Sequence, residues 1–315
     1  MEQPITADDI SRDLIHFIAK SPSTFHAVRG IKVALLYAGF TEIREEDTWQ
    51  IEKGGKYVVT RNGSALMAFT VPQEGAEAFH ITASHCDSPT FKIKENPEIA
   101  DGPYVKLNVE GYGGMIMSTW LDRPLSVAGR LLVTENGHLA EKLVAIDGTM
   151  LVIPSVAIHM DRSVNQHKEW KVQKDMLPLY GMTGAKTPFM DVIAASAKVK
   201  AEDILAHDLT LYVPAAIWGE EREFISSPKL DDLQCAFACF RGFTQGQKEK
   251  YISVYALFDN EEVGSATSQG AGSTFLANTL ERLARSLGYS YDETMAMIAR
   301  SFMISADNAH SVHPN

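Results

Sequence analysis

The sequence predicts an α/β domain interrupted by a mostly β insertion. Three observations lead there. Helical and strand patterns alternate before about Phe91 and again after about Ala206; short β-type runs broken by Gly, Pro and Asn fill the interval; and ionisable residues gather where the outer strands end. The expected ranges are 1–90 and 206–315 for the α/β part and 91–205 for the insertion, sizes usual for domains.

The elements follow in order. Thr6 and Asp9 form a capping pattern, and Ile10, Leu14, Ile15 and Ile18 make an apolar stripe at helical spacing. Ser21-Pro22-Ser23 breaks that helix, and a second runs from Phe25 to Tyr37 and stops at Gly39. Lys56 to Thr60 and Ser64 to Val71 predict a hairpin around Asn62-Gly63. Ala78 to Ala83 predicts a buried strand leading directly into Ser84-His85-Cys86-Asp87. In the insertion, Val105 to Val109, Val127 to Val133 and Leu151 to Ile153 read as strands. Asp208 to Val213 is the next strand, Leu233 to Gly242 a helix, and Tyr251 to Phe258 a strongly apolar strand. Helices at Phe275 to Leu287 and Asp292 to Ser301 precede a short strand, Phe302 to Ile304.

Composition removes several classes of function. A net charge of −11 would repel nucleic acid and anionic membranes. No apolar run approaches the ~20 residues of a membrane-spanning helix, and the start MEQPITADD is too polar for a secretory signal. Three cysteines, Cys86, Cys235 and Cys239, make no disulfide framework and fit a reducing cytoplasm. Cys235 and Cys239 lie one helical turn apart, too few for a zinc site. Cys86 reads as a small buried residue whose neighbouring aspartate raises its pKa. Gly111-Tyr112-Gly113-Gly114 lacks the dinucleotide-binding pattern and reads as a turn.

Four acidic or histidine clusters share one kind of place. His85 and Asp87 follow one strand, Asp231 and Asp232 precede a helix, Glu261 and Glu262 follow the apolar strand, and Asp307 follows the last short strand. Each piece alone has an ordinary explanation. A His-x-Asp pair is common, Asp-Asp suits a helix start, and Ser305-Ala306-Asp307 could cap a following segment. Their joint occurrence is more informative, because strand carboxyl ends border the ligand crevice of open α/β sheets. One histidine with several carboxylates suits Zn²⁺ or Mn²⁺.

The segments ASHCDSP, SPKLDDL, FDNEEVGS and SADNAHSVHPN resemble, in order, the signatures of the aspartyl aminopeptidase family of dinuclear zinc metallopeptidases, and TWLDRPLSVAGR resembles part of that family's inserted domain. The resemblance implies a three-layer α/β/α zinc-peptidase domain with a β-rich dimerisation insertion. It implies two zinc ions per full-length subunit, with Mn²⁺ or Co²⁺ as substitutes. His85, Asp231 and Asp307 resemble ligands of the first ion; Asp231, in the bridging position, and Glu262 resemble ligands of the second. Asp87 resembles the carboxylate that orients His85, and Glu261 the general base. Asp232 stands where the family commonly has asparagine. His159 resembles a histidine that reaches a neighbouring subunit's site, and His310 is placed with it as a substrate-binding candidate. The implied activity is removal of single N-terminal residues from peptides, with an Asp or Glu preference that varies in the family, by a homo-oligomer, a dodecamer built from dimers. Neither nucleic acid nor membrane is an expected partner.

The family pattern continues for about a hundred residues beyond Asn315, the scale of a small domain, and that part carries a final histidine ligand of the second ion. His310 and His313 belong to the last signature itself. The expectation is therefore a fragment or truncated reading frame with a complete first metal site, a depleted second site and little activity of its own. The rival readings are a catalytically impaired subunit serving assembly and another dinuclear zinc hydrolase, such as a carboxypeptidase or deacylase.

Overall fold

The computed structural model describes residues 6–184, 187–213, 216–218, 224–246 and 250–310. The chain divides into two compact units, 1–88 with 215–315 and 89–214.

The first unit opens with α1 (Ala7–Ala19). Thr6 accepts the N–H of Asp9 through its side chain while the Asp9 carboxylate accepts the N–H of Thr6, the reciprocal cap read from the sequence. Then comes α2 (Thr24–Tyr37), after which Gly39 takes the left-handed φ of 84° that lets the chain turn away. A short β1 (Thr41–Glu42) precedes the hairpin of β2 (Lys56–Arg61) and β3 (Ala65–Thr70). Asn62 and Gly63 both have positive φ, and Ser64 N–H bonds to Arg61 C=O, as in the primed turns that match strand twist. The strand β4 (Phe79–His85) runs past Ala83, so His85 is itself the last strand residue.

The second unit holds β5 (Thr90–Asp101), β6 (Tyr104–Tyr112), β7 (Ser126–Glu135), β8 (His138–Ala145), α3 (Val172–Asp175), β9 (Leu179–Met182), α4 (Phe189–Ala197) and β10 (Ile204–Tyr212). Its sheet is antiparallel throughout, in the order β8-β7-β10-β5-β6-β9. Phe189 and Ile193 of α4 join Phe91, Leu107, Val127 and Leu209 in its core. Two expectations change here. Leu151 to Ile153 makes only isolated bridges rather than a strand. The strand expected at 208–213 pairs with β7 and β5, so the return to the first unit falls at 214/215 rather than at 206. An apolar alternation says that a strand exists, and only pairing says which sheet it joins.

Gly129 in β7 shows how close this pairing is. A Cβ added there would lie 1.9 Å from the carbonyl oxygen of Asp208. That neighbour is backbone and cannot rotate away. Gly129→Ala should destabilise the second unit by ~1–3 kcal/mol, the usual cost of overpacking. Thermal unfolding of the variant checks this; an unchanged midpoint would contradict the close approach.

The chain re-enters the first unit through β11 (Ala216–Trp218) and β12 (Phe224–Ser226), which pair with each other. Next are α5 (Leu230–Gln245), β13 (Ile252–Phe258), α6 (Phe275–Ser286), α7 (Tyr291–Ala299) and β14 (Phe302–Ser305). The first unit's main sheet has the order β1-β2-β3-β13-β4-β14. Both β13 and β14 run parallel to β4, while β13 is antiparallel to β3. Residues of α6 and α7, including Phe275, Leu283 and Met297, pack on one face with Phe69 and Val254. Residues of α1, α2 and α5, including Ile18, Ile31 and Leu233, pack on the other with Val58 and Tyr255. This is the three-layer α/β/α arrangement. It also explains why β13 is apolar on both faces from Val254 to Phe258: a strand covered on both sides has none left for water. Among the described residues, no helix is long and apolar enough to cross a membrane.

Candidate metal centre

Because β4, β13 and β14 are parallel neighbours, their carboxyl ends lie side by side. That places His85 at the end of β4, Asp259 to Glu262 just after β13, and Asp307 just after β14. The fourth contribution comes from the start of α5. Asp231 and Asp232 have non-helical φ/ψ and are joined by a cis peptide bond; the regular part of α5 follows them, where the sequence placed a helix from Leu233. Lys229, in the left-handed region, sends its ammonium to the carbonyls of Ser21 and Pro22 and ties this stretch to the α1–α2 turn. Burial draws the Lys229 pKa down to about 7.

His85 is buried and lies at the floor of the cluster. Its Nδ1 is 3.1 Å from Asp87 Oδ1, and its backbone N–H donates to Asp232 Oδ2 at 3.1 Å. The buried Nε2 makes no well-formed hydrogen bond. It faces carboxylate oxygens of Asp231 at 3.3 Å, Asp307 at 3.8 Å, Glu261 at 3.8 Å and Asp232 at 4.0 Å. One ligand atom from each of His85, Asp231, Asp232 and Asp307 lies within 4.8 Å of the other three. A tetrahedral zinc with bonds near 2.1 Å separates its ligand atoms by about 3.4 Å, so the donor set fits such an ion.

The electrostatics reflect burial together with several carboxylates gathered around one imidazole. Burial pulls the His85 pKa down, but the Asp87 hydrogen bond and the charges of Asp87, Asp232 and Glu261 outweigh it and hold the imidazole at about 9. Burial raises Asp232 to about 6. Burial, then the charges of Asp231 and Asp87, raises Glu262 to about 7. Asp231 is shifted upward, chiefly by burial and against the pull of His85. Such opposed shifts are those a bound cation would relieve.

Asp87 is the hub of the arrangement. Besides His85 it accepts the backbone N–H of Glu261 through Oδ1 and of Glu262 through Oδ2, each at 3.1 Å. It therefore fixes both the imidazole and the turn that carries the acidic pair. Glu261 is half-exposed with its carboxylate toward His85, and Glu262 lies next to the four-donor cluster rather than within it. Asp232, unassigned from the sequence, is completely buried against the His85 backbone; a second acid at a helix start gave no hint of that. Cys86 is buried with its thiol pushed up by burial and by Asp259, and its Sγ meets Thr24 Oγ1 at 2.7 Å. His159 sits in an exposed turn of the second unit, His310 is exposed three residues after Asp307, and His313 lies outside the described residues.

A three-layer α/β/α unit with one histidine and several carboxylates converging at strand ends is the architecture of a metal-dependent hydrolase. The chain belongs to the aminopeptidase I zinc metalloprotease family (M18), whose model matches residues 17–315. It is 46% identical over 316 residues to a probable M18 family aminopeptidase 2 of Clostridium novyi, covering 97% of this chain and 73% of that protein. Among solved structures it resembles a chain in the cryo-EM structure of the Ape4 and Nbr1 complex, with a TM-score of 0.93, 33% identity and coverage of 98% of this chain and 65% of that one. It also resembles the Saccharomyces cerevisiae mApe1 dodecamer, with a TM-score of 0.84, 27% identity, and coverage of 98% and 73%.

Proposed function

We propose that this chain carries the metal-binding and general-base residues of a zinc aminopeptidase that removes single N-terminal residues from peptides. The observation that carries the reading is the buried His85 Nε2, lacking a well-formed hydrogen bond and aimed among the carboxylates of Asp231, Asp232, Asp307 and Glu261. In this reading His85, Asp231 and Asp307 hold one zinc, and Asp231 and Glu262 contribute to a second, with Mn²⁺ or Co²⁺ able to substitute. Asp232, within reach of the same cluster, completes the buried wall behind His85. Zinc bound there supplies Lewis acidity toward a peptide carbonyl and toward water.

The protein's own part is positioning and proton transfer. Asp87 fixes the ring of His85 and the backbone of the acidic turn. Glu261, the acid of the pair more open to solvent, takes the proton of the attacking water and returns it to the leaving amine. Asp and Glu preference would require a cationic pocket against the acidic surroundings of this centre. Assembly into a dodecamer from dimers, with His159 and His310 near bound peptide, belongs to the same reading; the resemblance to the yeast dodecamer supports it.

Mass spectrometry of a peptide digest tests the activity. Sequential release of free amino acids from the amino end, blocked by N-acetylation of the peptide, is the expected result. Release from the carboxyl end would make the protein a carboxypeptidase. Removal of the acetyl group alone would make it a deacylase. No turnover by zinc-loaded protein in its native assembly would favour a subunit with an assembly role.

A further inference from the structure

The acidic turn is held from two sides, and only one of them touches the donor cluster. Asp87 holds the N–H groups of Glu261 and Glu262. On the other side stands Asn260, at φ 61°, in the left-handed region that asparagine tolerates better than most residues. Its carbonyl accepts the N–H of Ser265 at 2.8 Å, closing the turn around Glu261 and Glu262. Its side-chain Oδ1 accepts twice more, from Thr267 Oγ1 at 2.7 Å and from Gln269 Nε2 at 3.0 Å. Gln269 in turn sends its carbonyl to Asp259 N–H at 3.2 Å.

The loop so gathered is braced again by the β2–β3 hairpin. Arg61 Nη1 donates to the Ser268 carbonyl at 3.0 Å, and Asn62 Nδ2 to Gln269 Oε1 at 3.4 Å. Arg61 is itself held by Glu45 and lies over the Phe275 ring, 4.5 Å from its centroid. The route runs from the packed hairpin through Gln269 to Asn260, and from there to the backbone of Glu261.

We infer that Asn260 is a positioning residue: its side-chain oxygen, clamped by Thr267 and Gln269, sets the direction in which Glu261 presents its carboxylate. The inference rests on the assignment of Glu261 as general base. Small misplacement of a reacting group is costly, with about a hundredfold rate loss for an error near 1 Å. Both clamp bonds are accepted by Oδ1, so glycine at this position keeps the positive φ and loses them, and Thr267→Val removes one of them without changing Asn260.

The test uses zinc-loaded protein with wild type, Asn260→Gly, Thr267→Val and Glu261→Gln measured together. Steady-state hydrolysis of an aspartyl or leucyl anilide gives kcat and KM. Zinc content and amide hydrogen exchange over residues 264–272 are read on the same samples. Asn260→Gly should lose about tenfold to a hundredfold in kcat with KM and zinc content unchanged, and amides of the loop should exchange faster. Thr267→Val, which removes one clamp donor and leaves Asn260 in place, should move kcat and loop exchange in the same direction by a smaller amount. Full kcat in Asn260→Gly beside an inactive Glu261→Gln would overturn the inference alone. A kcat loss in Asn260→Gly that merely tracks lost zinc, or unchanged loop exchange, would also overturn it. An active Glu261→Gln would remove the base assignment and the inference with it.

Discussion

Glu261→Gln is expected to lower kcat by about 10²–10⁴, the usual contribution of a general base, while zinc content stays near the wild-type value. The amide is nearly isosteric with the acid and keeps the backbone N–H that Asp87 accepts. What it loses is the ability to take a proton. The carboxylate sits 3.8 Å from His85 Nε2 and is half-exposed, where water and substrate can both reach it. Glu262 is the internal control. More sheltered than Glu261 and raised to about 7 by burial and neighbouring acids, it is a carboxylate whose charged form an adjacent cation would stabilise. Metal analysis of the two variants separates the roles: zinc loss in Glu261→Gln but not in Glu262→Gln would mean that they are assigned the wrong way round.

Asp87→Ala is expected to cost about 10–100-fold in zinc affinity or in kcat/KM, the range seen when the partner of a ligating histidine is removed. Three contacts disappear together: the one to His85 Nδ1 and those to the two backbone N–H groups of the acidic turn. A donor left unsatisfied in a buried place costs about 1–3 kcal/mol, so a lower melting temperature should accompany the weaker binding. The His85 pKa should also fall, because the hydrogen bond and charge of Asp87 are the leading contributions raising it to about 9. Titration of zinc against a competing chelator, with imidazole resonances followed by NMR in the zinc-free protein, checks both parts. Wild-type affinity together with an unmoved His85 titration would show that Asp87 is not the group that sets this ring.

Much of the first unit was legible because its local signals agree. The Thr6–Asp9 cap, the Asn62-Gly63 turn and the apolar run before Glu261 each specify their element through backbone chemistry alone, and the structure contains all three. Two of the candidate site residues were legible for a related reason: polar groups at the exits of buried strands have to be satisfied there, so His85 and Glu261 stand out against the apolar runs of β4 and β13, whereas Asp307 follows the exposed β14.

Other features depend on residues distant in sequence. The strand Ile204–Tyr212 was recognisable as a strand, yet its place between β7 and β5 is decided by pairing partners more than 70 residues upstream. Asp232 reads locally as a helix-start acid, and its burial behind His85 exists only because α5 packs on β4. The clamp from Arg61 and Asn62 through Gln269 to Asn260 joins groups separated by 207 positions. The sequence by itself determined the local elements and the kinds of donor atom at their ends, because propensity and capping act over a few residues. Which of those ends meet, and how firmly Glu261 is held among them, only the tertiary structure decided, because parallel pairing of β13, β4 and β14 brings their ends together from anywhere in the chain.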